Sequence, residues 1–167
     1  YFKSVGRGQP LLLNVPPDTT GVLPQDFVDR VAELGETIRD TFRTDLTKQD
    51  GVTAEATAVR GNSPDYAASN VLDDNADTSQ YPLFRIPITK PGIIDQSDEP
   101  LKEVLETKLF DIVSIEEYIK LGQRISEFTV DVHTDSGWKE FGSGYTIGAK
   151  RLVRSTPVRA DQVRINI

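Results

Sequence analysis

The stretch LLLNVPPD at residues 11–18 is a short apolar run that ends at two prolines. An apolar run without alternation is typical of a strand that is buried on both faces, as in parallel sheets. A helix is predicted to follow, because apolar residues then recur at helical spacing on one face: Phe27, Val31, Leu34, Ile38 and Phe42. The strand and the helix both need partners that this segment does not contain. We therefore expect residues 1–45 to be the last β/α unit of a larger (β/α) barrel.

The remainder of the chain, residues 46–167, has a different pattern. Apolar residues alternate with polar ones in short runs: Val52, Ala54, Ala56 and Ala58; Phe128, Val130 and Val132; Val163, Ile165 and Ile167. Turn-forming clusters separate the runs at residues 61–64, 135–137 and 142–144. This spacing predicts a mainly β fold with an antiparallel β-sandwich, or jelly roll. The boundary between the two parts is expected in the polar stretch 44–51.

Composition excludes several classes of function. The net charge of −7 argues against nucleic acid and against anionic membrane surfaces. The absence of cysteine excludes disulfides, zinc–thiolate sites and a thiol nucleophile. No apolar run approaches the ~20 residues that cross a bilayer. Nor does the chain contain a phosphate-cradling glycine loop or a Ser/His/Asp arrangement.

Two groups of motifs resemble known families. SVGRG (residues 4–8), followed by LLLNVPPD, closely resembles the end of the catalytic barrel in glycoside hydrolase family 29. YAASNVLDDNADT (residues 66–78) is similar to the calcium loop of the factor V/VIII type C, or discoidin-like, domain that follows this barrel in plant and bacterial members. EYI with LGQRI (residues 117–125) and TIGAKRL (residues 146–152) look like later strands of that domain. The strand that should lie between them, within residues 79–108, is unrecognisable.

The resemblance implies an activity for the protein to which the chain belongs. Family 29 enzymes are retaining exo-α-L-fucosidases, in which two carboxyl groups face each other across the bond to be cleaved. The nucleophile lies upstream of Tyr1 in the family pattern. Asp18, Asp26 and Asp29 are not expected to replace it, since they lie after a strand end or on the outer helix. The resemblance also implies fucosylated glycans as ligands, a missing catalytic barrel in the same or a companion chain, and secretion.

Asn14 is the candidate substrate-binding residue of residues 1–45. Barrel active sites form at the carboxyl ends of the strands, and Asn14 is the first polar side chain at such an end. It could contact the sugar or orient a catalytic residue. The alternative is that Asn14 caps the following turn through its own backbone, as asparagine commonly does.

Residues 70–78 form the candidate metal site. Calcium prefers six to eight oxygen ligands, and a compact loop of Asp, Asn and Thr offers them. By resemblance, the ligands are Asn70, Asp73, Asn75 and Thr78, and the ion would stabilise the loop and take no part in catalysis. The alternative is a solvated acidic turn.

A sugar site on the sandwich would need an aromatic platform with hydrogen-bonding groups around it. The sequence offers Trp138, Tyr118 and Arg124, with Tyr145 and His133 as further parts. Trp138 follows a turn glycine and could be exposed, although a core position is favoured. His133 is expected to be a surface or hydrogen-bonded histidine and not a metal ligand.

Three functional classes remain open at this stage. The leading hypothesis is that the chain completes an α-L-fucosidase, with the sandwich bracing the barrel or binding carbohydrate. The second is a calcium-stabilised carbohydrate-binding module without catalysis. The third is adhesion to protein or membrane, against which the acidic charge argues. An isolated module should not carry an apolar helix stripe without a partner, which favours the first hypothesis.

Overall fold

The computed structural model describes residues 1–73, 88–89 and 107–167. It contains one α-helix, α1 (Gln25–Thr41). Its strands are β1 (Ile88–Thr89), β2 (Lys108–Ile115), β3 (Glu127–Thr134), β4 (Gly137–Tyr145), β5 (Arg151–Ala160) and β6 (Gln162–Asn166). Short 3₁₀ turns occur at Val5–Arg7, Leu46–Lys48, Arg60–Asn62, Pro64–Tyr66, Ala68–Leu72 and Ile119–Leu121.

The strands form two antiparallel three-stranded sheets. One has the order β1–β2–β5 and the other the order β4–β3–β6. Both sheets contribute to one apolar core: Phe110, Val113, Ile115, Val153 and Val158 from the first, and Phe128, Val130, Val132 and Phe141 from the second. The predicted mainly β, antiparallel architecture is confirmed, and the shared core is that of a sandwich.

The alternating run in β3 behaves as predicted. Phe128, Val130 and Val132 are buried, and the residues between them face outward. The turn predicted at residues 135–137 connects β3 to β4, and Gly137 there has a φ of 94°. Only glycine adopts that backbone conformation without strain. Strand β3 and the turn that follows it are therefore confirmed, and they were predicted from the alternating pattern and from turn chemistry.

The strand predicted at residues 11–15 is not formed in this chain. These residues have no regular structure, and Leu12 is 94% exposed. A strand exists only when a neighbouring strand takes its backbone hydrogen bonds, and no described strand lies beside this run.

Two further local predictions are wrong. The alternating residues Val52, Ala54, Ala56 and Ala58 lie in an irregular, largely exposed segment, because alanine contributes little apolar area to anchor a strand. Residues 142–144, predicted as a turn, continue β4. A Cβ on Gly142 would lie 2.6 Å from Val153 Cγ1, so the glycine allows a neighbouring side chain to approach the strand closely.

Two strands expected from the resemblance are not formed where they were predicted, and strand β2 was not predicted at all. Residues 117–125 form a loop with a 3₁₀ turn, and residues 146–150 form a turn before β5. A single buried carboxylate, that of Glu117, bonds backbone amides of both segments, which uses groups that a strand would give to its neighbours. The unpredicted strand β2 is buried along most of its length and so lacks alternation. Of residues 79–108, in which the expected strand was unrecognisable, residues 88 and 89 form β1 and Lys108 begins β2, while residues 79–87 and 90–106 lie outside the described residues.

The predicted helix is confirmed as α1, with Asp26 in its first turn and Arg39 in its last. Its apolar face is not covered, since Phe27, Val28 and Val31 are all exposed and the helix has no buried residue. In the part of the chain that the structure describes, no helix is long and apolar enough to span a bilayer.

Candidate functional site

Asn14 lies in an open groove between its own segment and α1. Residues 13–16 line one side, and Phe27, Val31 and Leu34 line the other. Asn14 itself is exposed. The groove is lined chiefly by apolar side chains. Asn14 contributes an amide group to this lining, and Arg30 contributes a charged guanidinium group.

The acids near this groove are engaged locally. Asp18 Oδ1 accepts hydrogen bonds from Thr20 N at 2.8 Å, Thr20 Oγ1 at 2.6 Å and Val22 N at 3.2 Å. The bond from the Thr20 hydroxyl, followed by those from the backbone, holds the pKa of Asp18 below its ordinary value. Asp29 accepts a bond from Gln25 Nε2 at 2.8 Å on the exposed side of α1. Each of these carboxylates stabilises a turn or a helix end.

Trp138 lies on the outer surface of the sandwich, so the interpretation that favoured a core position is wrong. Its side chain is 41% exposed. Trp138 pairs with His133 across β4 and β3, and directly opposed residues share one face of a sheet. Because the neighbouring Val132 is buried, alternation places His133 and Trp138 outside.

The Trp138 ring is held by an ordered polar network. The Arg164 guanidinium carbon lies 4.3 Å from the ring centroid, a cation–π distance. Asp131 Oδ2 accepts from Arg164 Nη2 at 2.7 Å and from Asn166 Nδ2 at 2.8 Å. The hydrogen bond from Arg164 is the chief cause that lowers the pKa of Asp131, with a further contribution from Asn166. The ring, the cation and the carboxylate are therefore linked by direct contacts.

His133 completes this surface. Its Nδ1 lies 2.8 Å from Asp161 Oδ1, and its ring centroid lies 5.2 Å from that of Trp138. The prediction of a hydrogen-bonded surface histidine is confirmed. We call Trp138, His133, Asp131, Arg164 and Asn166 the tryptophan face. Three of its members, Asp131, Arg164 and Asn166, were not predicted from the sequence, although they occupy outward positions of the alternating strands β3 and β6.

Tyr118 and Arg124 lie on the loop between β2 and β3. This loop is fixed by Glu117, whose side chain is 5% exposed. Glu117 Oε1 accepts from the backbone N–H groups of Arg124 and Ile125, and its Oε2 accepts from Gly148 N at 3.2 Å. Tyr118 is half-buried with Lys120 Nζ 5.9 Å from its ring centroid, while the Arg124 side chain is exposed.

The four predicted substrate-binding residues do not form one site. Tyr118 and Arg124 precede the start of β3, whereas Trp138 pairs near its end. The stretch of β3 from position 127 to position 133 contains seven residues and is about 20 Å long. Asn14 lies beside α1, in a different part of the chain. The sandwich thus presents two candidate surfaces, at opposite ends of β3.

The described half of the candidate calcium loop consists of Asn70 and Asp73; Asn75 and Thr78 lie outside the described residues. Asp73 is exposed at the end of the 3₁₀ turn Ala68–Leu72. Asn70 Nδ2 donates to the Asp65 carbonyl at 2.9 Å, and Lys48 Nζ donates to the Leu72 carbonyl. Among the described residues, no three acids or histidines converge on a metal-sized space. Oxygen donors of the kind that calcium prefers are present, beside a lysine ammonium group.

Comparisons with known proteins cover the whole chain. No protein-family model matches it. A protein of Oryza sativa subsp. japonica, provisionally named alpha-L-fucosidase 1, is 31% identical over 169 residues, which cover 100% of this chain and 31% of the rice protein. Alpha-L-fucosidase 1 of Arabidopsis thaliana is 31% identical over 160 residues, which cover 92% of this chain and 29% of that protein.

A solved structure agrees with these relatives. The GH29 fucosidase of Ruminococcus gnavus, solved in complex with fucose, is 36% identical with a TM-score of 0.77, and the match covers 99% of this chain and 31% of that one. The chain is therefore homologous, over its whole length, to the C-terminal part of family 29 α-L-fucosidases. It spans about a third of the length of the relatives it matches.

Proposed function

We propose that this chain is the C-terminal portion of a secreted, retaining exo-α-L-fucosidase that hydrolyses terminal α-L-fucosyl residues of glycans. The observation that carries the proposal is the homology of the whole chain to α-L-fucosidases about three times as long. The exposed apolar face of α1 and the exposed run at residues 11–13 support it, since both need a larger body to cover them.

In this proposal, residues 1–45 close the catalytic barrel and residues 46–167 form the discoidin-like sandwich. The run at residues 11–15 becomes a barrel strand once its neighbours supply backbone partners. Asn14 then lies at the carboxyl end of that strand, where barrel enzymes bind substrate. The nucleophile and the acid come from the part of the protein that precedes this chain.

Hydrolysis of p-nitrophenyl α-L-fucoside by the purified natural protein tests the activity. We expect release of nitrophenol and, by NMR, the α-anomer of fucose as the first product, as retention requires. The matched β-D-galactoside should remain intact. Absence of turnover on the fucoside would contradict the proposal. Detection of the protein in the extracellular fraction by immunoblot tests secretion.

The role of Asn14 is tested in the same protein. Loss of one hydrogen bond to a sugar costs about 1–2 kcal/mol, so Asn14→Ala should lower kcat/KM roughly 5–30-fold. Gln25→Ala, which removes another exposed amide nearby, is the control and should leave kcat/KM unchanged. Equal kinetics for the two variants would mean that Asn14 only caps its turn.

A second candidate function is carbohydrate binding by the sandwich, either beside the catalytic site or as a module without catalysis. The exposure of Trp138 among fixed donors and acceptors favours it, because sugar rings pack on aromatic faces while their hydroxyls need hydrogen-bond partners. Calorimetric titration with a fucosylated oligosaccharide should lose affinity in Trp138→Ala if the tryptophan face binds. Loss in Tyr118→Ala or Arg124→Ala would point to the loop instead. Binding unchanged in all three variants would contradict this function.

A further inference from the structure

The first nine residues form a compact, internally bonded turn. The Tyr1 carbonyl accepts hydrogen bonds from Ser4 N and Gly6 N, both at 3.1 Å. The Ser4 carbonyl accepts from Arg7 N at 2.8 Å and from Gln9 N at 3.0 Å. Because its backbone groups are hydrogen-bonded within the segment, this turn can move as a unit, so that a shift of one neighbouring element displaces the other.

Two glycines of this turn lie directly against the sandwich. A Cβ on Gly6, which is buried, would lie 3.0 Å from Leu152 Cδ1. A Cβ on Gly8 would lie 3.1 Å from Lys150 N and 3.2 Å from Ala149 Cβ. Gly8 also has a φ of 71°, which side chains other than glycine rarely adopt. We call this arrangement of Gly6 and Gly8 against residues 149–152 the glycine contact.

Aromatic packing extends the glycine contact toward α1. The Phe42 ring, just after α1, has its centroid 5.4 Å from that of Tyr1 and 6.2 Å from that of Phe2. The Arg154 guanidinium carbon of β5 lies 5.2 Å from the Phe2 ring centroid. Arg154 Nε in turn donates to Asp111 Oδ2 of β2 at 3.3 Å. The turn is thus packed between the end of the helix and the outer face of the sheet that contains β2 and β5.

Shape, and not charge, accounts for the glycine contact. Burial and then the positive charge of Arg7 lower the pKa of Arg151, which means that the contact brings two like charges together. Such repulsion opposes docking. The close backbone approach that only glycine allows must therefore outweigh it.

We propose that the sandwich positions the substrate-binding end of the barrel through the glycine contact. The segment that carries Asn14 begins at Leu11, three residues after Gly8, so a displacement of this turn moves the proposed barrel strand that carries Asn14. This inference rests on the proposed fucosidase activity. The proposal assigns a positioning role to four residues, Gly6, Gly8, Ala149 and Leu152. They act on the substrate-binding site only through the segment that connects the turn to Asn14.

A matched pair of glycine substitutions in the full-length protein tests the proposal. Gly8 and Gly51 both have positive φ, 71° and 81°, but a Cβ on Gly51 meets nothing within 4 Å. Gly8→Ala and Gly51→Ala therefore carry similar backbone strain and differ in the contact. A displacement of about 1 Å can cost up to 100-fold in rate, so we expect Gly8→Ala to lower kcat at least about tenfold. The kcat of Gly51→Ala should stay within about twofold of the wild-type value, because this substitution displaces no group near the active site.

The temperature of the assay separates positioning from stability. When kcat is measured well below the Tm of each variant, all molecules are folded. Substitution of a residue that only stabilises the fold then leaves kcat unchanged. A positioning residue lowers kcat under the same conditions, with a smaller effect on KM. Equal kcat values for Gly8→Ala and Gly51→Ala in an active enzyme would overturn the proposal.

A double-mutant cycle provides a second readout. Gly6→Ala introduces a Cβ 3.0 Å from Leu152 Cδ1 and 3.2 Å from Leu152 Cγ, and Leu152→Ala removes both atoms and leaves its own Cβ at 3.3 Å. We expect the double variant to recover kcat lost by Gly6→Ala, so the two effects are non-additive. Additive losses would contradict the contact, and this cycle decides if Gly8→Ala does not fold.

Failure of the proposed function is distinguishable from failure of this inference. A wild-type protein without fucosidase activity overturns the function. In that case Tm decides the contact: a larger drop for Gly8→Ala than for Gly51→Ala supports docking of the turn on the sandwich, and equal drops overturn it.

Discussion

The two parts of this chain solve the burial of apolar residues in different ways. The sandwich covers its own, with Phe110, Val113, Phe128 and Val130 all nearly inaccessible. The helix α1 has a regular apolar stripe of similar residues, yet none of them is buried. Apolar patterning thus indicates secondary structure in both parts, but only the sandwich contains both sides of its interface. In the function proposed above, the apolar face of α1 packs on the catalytic barrel, whereas the sandwich needs no such partner.

The largest expected effect comes from a matched pair of phenylalanines. Phe128→Ala should lower the free energy of unfolding of the 167-residue chain by about 3–5 kcal/mol, because Phe128 is buried between the sheets. Phe27→Ala should lower it by less than about 1 kcal/mol, because that side chain is already in contact with water. Urea unfolding measures both.

The same two substitutions should have more similar costs in the full-length protein. There the cost of Phe27→Ala should rise to about 3 kcal/mol, as the proposed barrel covers the stripe. An unchanged small cost would mean that the stripe is solvated in the native protein as well.

A smaller effect is expected at Glu117, whose carboxylate joins two loops of the sandwich by hydrogen bonds to their backbone. Glu117→Ala leaves three backbone N–H groups without their carboxylate and should cost roughly 3 kcal/mol. Its neighbour Glu116 bonds Lys150 Nζ at 2.8 Å in a partly exposed pair, so Glu116→Ala should cost under about 1 kcal/mol. Similar losses in the two variants, measured by urea unfolding, would contradict the role assigned to Glu117.

Calcium is predicted to stabilise the loop at residues 70–78, within the sandwich part of the chain. At a hundredfold excess over its Kd, the ion should raise the free energy of unfolding by about 2.7 kcal/mol. Differential scanning calorimetry with and without a chelator measures this gain. Asp73→Ala should abolish it and Asp50→Ala, outside the loop, should not. If the chelator leaves Tm unchanged, residues 70–78 form a solvated acidic turn and not a calcium site.

The smallest effect concerns Asp131 on the tryptophan face. Its pKa is lower in the folded protein, so the folded state binds the proton less tightly than the unfolded state. The stabilisation is therefore complete above the ordinary value of 3.8 and is lost as the pH falls through the lowered value. Asp131→Asn should lower Tm by about 1–3 °C at pH 7 and by less near pH 3. The exposed Asp135→Asn is the control, and a pH-independent loss at Asp131 would count against the network.

Sequence patterns predicted those elements whose environment is visible in the pattern itself. The period of α1 and the alternation of β3 each show which side faces the core. The strand β2 was missed because neighbours cover it on both faces, which removes the alternation. Trp138 was misplaced because a lone tryptophan does not show which face of a strand it occupies; its pairing with His133 does. The network of Asp131, Arg164 and Asn166 joins two strands more than 30 positions apart, which only the fold brings together.

The intact mass of the purified natural protein, taken under denaturing conditions with native gel filtration alongside, tests most directly whether residues 1–45 belong to a larger body. We predict a mass above the 18.5 kDa of this chain by something like the ~250 residues of a barrel, or an 18.5 kDa chain that elutes with a companion of that size. An 18.5 kDa protein that elutes alone would contradict the proposal that a barrel covers α1.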